Sequence, residues 1–201
     1  MVLADGRCCM NESSRRSEAE AIFRLDNEIL AFRFTATLSD RGGAQFERLT
    51  DPSRLDLWLH ANCLDLGSEP ASTGELREAL QLREAIHRVG TAVADQRSGE
   101  ARDIDLLNRE SACGKVHLAL EGEAAVWKSS GPSVIEDALA VIAANAIEVF
   151  GGDRRGRVKA CQWKSCGGLY LDTSRGDNRR WCSMNICGNR AKKAAMNTPD
   201  L

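Results

Sequence analysis

Residues 161–190 read CQWKSCGGLYLDTSRGDNRRWCSMNICGNR, and their four cysteines form two Cys-x4-Cys pairs separated by fifteen residues. Two close pairs joined by a loop of this length can bring four thiolates onto one tetrahedral ion. Glycines follow the second cysteine of each pair and let the backbone turn tightly around that ion. Four protein ligands leave no open coordination position, so the sequence predicts a structural Zn²⁺ site. The predicted ligands are Cys161, Cys166, Cys182 and Cys187.

Two other chemistries also use four cysteines, namely disulfide bonds and an iron–sulfur cluster. Disulfides are rare in a reducing cytoplasm, and no other feature of the sequence indicates electron transfer. The segment holds few large apolar side chains beyond Trp163, Tyr170 and Trp181, so without a metal it could hardly bury enough surface to fold. The zinc interpretation is therefore favoured, and the other two stay open at this point.

The sequence between and after the pairs predicts a small module around the ion. Residues 169–171 are typical of a strand, residues 172–177 of a turn, and residues 179–181 of a returning strand. Cys187 then opens a final helix over residues 188–196. A knuckle, a hairpin and a helix that carries the last ligand make a treble-clef-like zinc finger.

Upstream of the module, hydrophobic periodicity predicts a mostly helical body with a small sheet. Two capping boxes mark helix starts, Ser72 with Glu75 and Ser133 with Glu136. The expected elements are a strand over 30–38, helices over 53–66, 72–97 and 104–113, a β-hairpin over 115–127 and a strongly apolar helix over 133–150. The predicted fold class is therefore α+β.

Composition changes divide the chain into three parts. Residues 1–24 are predicted to be a flexible leader with a short helical turn through Glu18 to Phe23. Residues 25–152 form the α+β body, and residues 158–197 form the cysteine module. A polar, basic connector over 153–157 separates the two.

Charge is unevenly distributed along the 201 residues. Residues 151–201 hold 11 Lys and Arg against 4 Asp and Glu, so their net charge of +7 contrasts with −9 for residues 1–150. Clustered basic charge indicates an anionic partner, although the two halves could instead neutralise each other.

The tetrapeptide Cys187-Gly188-Asn189-Arg190 resembles the signature of the CGNR zinc-finger family. The similarity extends back through residues 171–175 (LDTSR) and 179–182 (RRWC). Upstream, the chain resembles the ABATE domain that normally precedes this finger. The similar pieces are the segment over 30–38, LWL at 57–59, ELREAL at 75–80 with LRE at 82–84, and LLN at 106–108.

Two departures from the family pattern stand out. The first strand of the family commonly ends in Phe-x-Asn-Thr, whereas this chain has Phe34-Thr-Ala36-Thr37. Family members also often continue with a longer basic helix, and this sequence stops at Leu201, which weakens the case for DNA.

The resemblance implies a bacterial, stress-related transcription regulator that binds DNA through the finger. The candidate nucleic-acid contacts are basic residues of the turn and the final helix: Arg175, Arg179, Arg180, Arg190, Lys192 and Lys193. Arg179 and Arg190 could instead hold backbone carbonyls or the carboxylate of Asp172. The acidic body could hold a small-molecule effector. The alternative function is a zinc-stabilised protein-interaction or RNA-binding module.

Other function classes find little support in the sequence. It has no Gly-rich phosphate loop, and Cys63 and Cys113 lack a local nucleophile signature, so we expect no enzyme and no catalytic residues. The three histidines, His60, His87 and His117, fall within helix or strand patterns, as core-edge or surface residues do. No apolar run approaches the ~20 residues that span a bilayer, and the first residues lack the apolar stretch of a secretory signal. We therefore expect a cytoplasmic protein with no membrane partner.

Overall fold

The computed structural model describes residues 7–196, and the side chains from residue 14 onward. Among these residues helices dominate, accompanied by three small two-stranded sheets, so the predicted α+β class is confirmed. In chain order the elements are α1 (Arg7–Ile22), α2 (Leu30–Thr35), β1 (Leu38–Ser39), β2 (Phe46–Glu47), α3 (Pro52–Ala61), α4 (Thr73–Ala94), α5 (Ala101–Cys113), β3 (Val116–Glu121), β4 (Ala124–Ser129), α6 (Val134–Gly151), a 3₁₀ turn (Arg155–Arg157), β5 (Val158–Ala160), β6 (Leu169–Leu171), a π-helical turn (Met184–Gly188) and α7 (Asn189–Met196). None of the helices within residues 7–196 is long and apolar enough to cross a bilayer.

Helices α4 and α6 form the centre of the body. At the start of α4 the predicted capping box is complete, because the Ser72 hydroxyl accepts from Glu75 N and the Glu75 carboxylate accepts from Ser72 N. At the start of α6, Ser133 likewise accepts from Glu136 N, while its hydroxyl donates to the Glu75 carboxylate on α4 at 2.9 Å. The two caps therefore also join the two helices. Most of α6 is buried, as its apolar sequence predicts.

Each of the three sheets is an antiparallel pair. The pair β3–β4 is the predicted hairpin, closed by Gly122 with a φ of 61°. The pair β5–β6 lies in the cysteine module, with Val158 opposite Leu171 and Ala160 opposite Leu169. The predicted strand over 169–171 is thus confirmed, but residues 179–181 form no returning strand, and that prediction is wrong. Instead, β6 pairs with residues that precede the first cysteine.

The segment over 30–38 differs most from its prediction. Its alternating sequence favoured a strand, whereas residues 30–35 form helix α2, which packs on α6. The Asn145 Oδ1 atom on α6 accepts a hydrogen bond from the backbone N–H of Ala31 in the first turn of α2 at 3.0 Å. Phe32 of α2 also contacts Phe150 of α6, with ring centroids 6.1 Å apart. Tertiary contacts therefore override the local pattern here.

Two further boundaries differ from the sequence predictions. Helix α1 extends from residue 7 to 22, and buried Ala19 and Phe23 anchor it, so the prediction of only a short helical turn there is wrong. Residues 1–6 and 197–201 lie outside the described residues. Helix α3 ends at Ala61 rather than near 66, because Asn62 binds the Trp58 carbonyl and Cys63 takes a left-handed φ of 57°.

The hydrophobic core runs from the helical body into the cysteine module. Val158, Leu169 and Leu171 from β5 and β6 belong to the same buried cluster as the helices. A Cβ placed on Gly90 of α4 would lie 2.5 Å from Leu169 Cδ1, so only glycine lets β6 approach this closely. The module is therefore seated on α4 by apolar contacts.

Candidate metal centre and basic face

Four cysteines converge at the end of the chain, each placed by a different local element. Cys161 follows β5, Cys166 closes the knuckle before Gly167, Cys182 ends the irregular segment, and Cys187 lies in the π-helical turn that leads into α7. Their sulfur atoms all lie within 4.8 Å of one another. The four cysteines that the spacing predicts as ligands therefore lie close together in the structure.

The sulfur positions fit a single tetrahedral ion. A Zn–S bond of ~2.3 Å gives a tetrahedron whose edges are about 3.8 Å long. The Cys166–Cys182 and Cys182–Cys187 sulfur separations are 3.6 and 3.7 Å. Both are far longer than the ~2.05 Å of a disulfide, which this arrangement therefore excludes for these pairs. A cluster of several irons would need the sulfurs farther apart, so one ion fits this space best.

Two glycines allow the chain to wrap the sulfur cluster. Gly167 has a φ of 64°, a conformation that disfavours other residues. A Cβ on Gly168 would stand 3.2 Å from the sulfurs of both Cys166 and Cys182. The sequence analysis predicted that these glycines let the backbone turn around the ion. A positive φ explains the need for glycine at Gly167, and the nearby sulfurs explain it at Gly168.

Crowding of the thiols makes the centre a site for a cation. The thiols of Cys166 and Cys182, followed by backbone amides that include Trp163, lower the pKa of Cys161 to about 2. Burial, followed by the charge of Cys166, raises the pKa of Cys187 to about 12. A divalent cation at the centre would allow all four to ionise together.

The segment between the cysteine pairs is organised by the buried carboxylate of Asp172. It accepts from Lys159 Nζ at 2.8 Å, Ser174 N at 2.9 Å and Arg179 N at 2.8 Å. Burial alone would raise the pKa of Asp172, but these hydrogen bonds hold it well below its usual range. Asp172 is therefore a structural carboxylate that shapes the turn over 172–179.

Comparison with known protein families agrees with this geometry. Residues 28–153 match the ABATE family, described as "Putative stress-induced transcription regulator", and residues 157–198 match the CGNR zinc finger. The chain belongs to the ABATE family. Its predicted resemblance and its zinc-finger architecture are thus confirmed, and the four clustered cysteines could bind the zinc ion of a CGNR finger. These families are of regulatory and zinc-finger type rather than enzymes. No curated protein matches the chain.

The six candidate nucleic-acid contacts of this ABATE protein fall into two groups. Arg179 is directed inward, where it donates to the carbonyls of Trp181 (2.8 Å) and Cys182 and stacks 4.6 Å from the Tyr170 ring centroid. The Arg190 side chain is 43% exposed, and its Nη1 atom lies 3.9 Å from the Oδ1 atom of Asp40 in the body. These two arginines have the structural partners that the sequence left open as an alternative.

The other four candidates are exposed on the CGNR finger. Arg175 lies in the turn after β6, and Lys192 and Lys193 lie on α7. Arg180 donates to Gln162 at 2.7 Å and stacks 5.1 Å from the Trp181 ring centroid, yet its side chain stays at the surface. Within residues 158–196, Arg175, Lys192 and Lys193 form no ion pair.

Sequence reasoning missed the residues that dock the finger on the body. Arg41 N donates to the Cys166 carbonyl at 3.2 Å, and His87 Nε2 donates to the Gly167 carbonyl at 2.7 Å. The Asp40 carboxylate accepts from the Ser165 hydroxyl. Asp40 itself has a φ of 56°, in the Ser-Asp-Arg-Gly-Gly run over 39–43, whose composition is typical of a turn. No local signal in that run indicated that it would hold a zinc knuckle.

The remaining cysteines and histidines of the described body lie apart from the metal centre. Cys63 and Cys113 are exposed and free. His60 pairs with Asp65 at 2.7 Å, and His117 is exposed on β3. Their positions at the surface or core edge agree with the sequence interpretation.

Proposed function

We propose that this ABATE protein is a transcription regulator that binds DNA through its CGNR finger. Cys161, Cys166, Cys182 and Cys187 hold one structural Zn²⁺, which fixes the turn after β6 relative to α7. The contacts to DNA come from the exposed candidates that form no ion pair within residues 158–196: Arg175, Arg180, Lys192 and Lys193.

The observation that carries the proposal is the separation of charges within the finger. Its central carboxylate, Asp172, is buried and satisfied by Lys159 and by backbone amides. Arg179 is likewise used internally. The exposed carboxylate of the same turn, Asp177, is paired with Lys159 at 2.9 Å. Within residues 158–196, the four remaining surface cations form no ion pair, on a scaffold that a metal would make rigid. Such a surface suits neutralisation of phosphates, the main source of affinity for DNA.

The body is the proposed site of regulation. An apolar cavity of about 210 Å³ lies between α4, α5 and α6, with Val89, Leu107 and Phe150 in its walls. This volume is below the ~300–1,000 Å³ of most ligand pockets, so the cavity suits only a small apolar effector. The effector hypothesis concerns this cavity and is separate from the DNA proposal.

Fluorescence anisotropy with labelled genomic fragments tests the DNA proposal. Four phosphate contacts predict that log K falls by about 3.6 per decade of salt, or roughly a hundredfold between 50 and 200 mM. Replacing both Lys192 and Lys193 by alanine should weaken binding to all sequences alike and flatten that slope by about 1.8. The matched control is Arg109→Ala, which removes an exposed cation from α5 and should leave the slope unchanged.

Zinc-loaded protein that fails to bind DNA at 50 mM salt would contradict the proposal. Labelled RNA of the same length, run in parallel, distinguishes the alternatives. Binding to RNA alone would favour an RNA-binding module, and binding to neither would favour a protein-interaction module.

A further inference from the structure

The β3–β4 hairpin exposes apolar side chains that the proposed function does not use. Leu118 is 57% exposed and Leu120 is 78% exposed, and both lie on one face of β3. At its base the hairpin is held firmly, because Asp137 of α6 accepts from Lys115 N at 2.6 Å and from Ser129 Oγ at 2.5 Å. Val116 and Trp127 on the same face pack against the core, whereas these two leucines extend beyond it, and exposed apolar side chains on a firmly held strand indicate a site for a partner.

The outer edge of β3 is an unpaired strand edge. Among the described residues, β3 pairs with β4 alone. Glu121 and Ala124 flank a two-residue turn, and the Lys115 carbonyl accepts from Ser130 N at 2.8 Å, so odd-numbered residues direct their backbone groups toward β4. The N–H and C=O groups of Val116, Leu118 and Leu120 therefore point outward from the hairpin.

The sequence of this edge is complementary to itself. When two copies of residues 115–121 run antiparallel with Leu118 opposite Leu118, Val116 lies opposite Leu120 and Lys115 lies opposite Glu121. The outward backbone groups then meet in hydrogen-bonded pairs. At each end Lys115 of one copy lies opposite Glu121 of the other, whose carboxylate already pairs with Lys128 of its own hairpin at 2.7 Å, so Lys115 adds a second cation beside that carboxylate. Shifting the register by two residues would place Lys115 opposite Ala119, or opposite Glu123 of the turn, which lies beyond the end of the strand.

We propose that the outer edge of β3 is an interface for a second copy of this chain. The two hairpins join into one four-stranded antiparallel sheet about a two-fold axis at Leu118. The contact is isologous, so it closes at a dimer. The leucines exposed on each hairpin gain apolar neighbours from the partner, on the same face as Trp127, which already packs against the core.

Analytical ultracentrifugation of the full-length protein tests the interface. We expect a monomer–dimer equilibrium that Leu118→Lys shifts to monomer by at least tenfold in Kd, because two lysines would meet at the axis. Leu118→Pro should do the same, since it removes an outward N–H while leaving the hydrogen bonds to β4 in place. The control is Ile104→Lys, which places the same charge at an exposed apolar position on α5 and should leave the equilibrium unchanged. Circular dichroism checks that each variant is folded.

A charge-swap experiment tests the register. Lys115→Glu should weaken the homodimer by about two- to thirtyfold, as expected for the loss of two exposed ion pairs. Glu121→Lys should weaken it by at least as much, because it also removes the Lys128 ion pair within each hairpin. An equimolar mixture of the two variants should recover association, because the opposite charges again face each other.

Amide exchange measured by NMR supplies evidence that does not depend on variants. The amides of Leu118 and Leu120 should become more protected as protein concentration rises, while that of Ala119 should not change. A chain that stays monomeric at 100 μM would overturn the proposal, as would a dimer that Leu118→Lys and Leu118→Pro leave intact.

Discussion

Replacing Leu169 by alanine removes a side chain from the centre of the contact between finger and body. Leu169 is only 3% exposed, and it lies in β6 between the two cysteine pairs. Its Cδ1 occupies the space beside Gly90 that a larger residue on α4 would fill, next to the Phe150 ring. The side chain thus belongs to the finger by sequence and to the helical core by packing.

The magnitude follows from burial. A fully buried Leu→Ala substitution costs about 2–5 kcal/mol, depending on how far the cavity collapses. The helices around Gly90 limit how far the cavity can close, so we expect the free energy of unfolding to fall by about 3 kcal/mol. If finger and body unfold as one unit of about 200 residues, the midpoint of the helical transition should fall by roughly 6–12 °C.

Thermal unfolding followed by circular dichroism at 222 nm measures this shift, because most helical residues lie in the body. The control is Phe46→Ala on β2, where the side chain is 55% exposed, and it should change the midpoint by less than about 2 °C. If the helical transition of Leu169→Ala coincides with that of the unmodified protein, the finger unfolds separately and the shared core is not a cooperative unit.

Further predictions concern the centre of the finger. Gly168→Ala should lower zinc affinity by about 10- to 100-fold in competition with a chromophoric chelator, since the new Cβ would press on two sulfurs. Gly156→Ala is the control and should leave the zinc affinity unchanged, because no atom from another part of the chain lies within 4 Å of a Cβ at that position. Asp172→Asn should destabilise the protein at pH 7 by about 3 kcal/mol in guanidinium titrations. Because the folded pKa of Asp172 is lowered, its contribution is present above about pH 4 and is lost as pH falls further, so the difference from the unmodified protein should shrink in acid.

The cysteine site was predictable because spacing and residue type determine it almost alone. The capping box of α4 was equally clear, since it is written in four consecutive residues and both of its hydrogen bonds form. At α6 only half of the predicted box forms: the Ser133 hydroxyl accepts from Glu136 N and also donates to Glu75. Local patterns with a specific chemical requirement therefore transferred directly from sequence to structure.

The errors arose where distant contacts decide the backbone. Residues 30–35 alternate like a strand, but Asn145 caps the segment from α6 and makes it helical. Residues 179–181 have strand-like composition, yet the Arg179 side chain binds the carbonyls of Trp181 and Cys182 and curls the chain. The docking of the knuckle on Asp40 and Arg41 joins residues about 125 positions apart, which no local pattern encodes.

X-ray absorption of the purified full-length protein, together with metal analysis, tests most directly whether zinc fixes this finger. We predict about one zinc per chain with four sulfur neighbours at ~2.3 Å and no lighter ligand. An iron edge, a nitrogen or oxygen ligand in the first shell, or a folded finger that contains no metal would contradict the zinc assignment and the rigid basic face that depends on it.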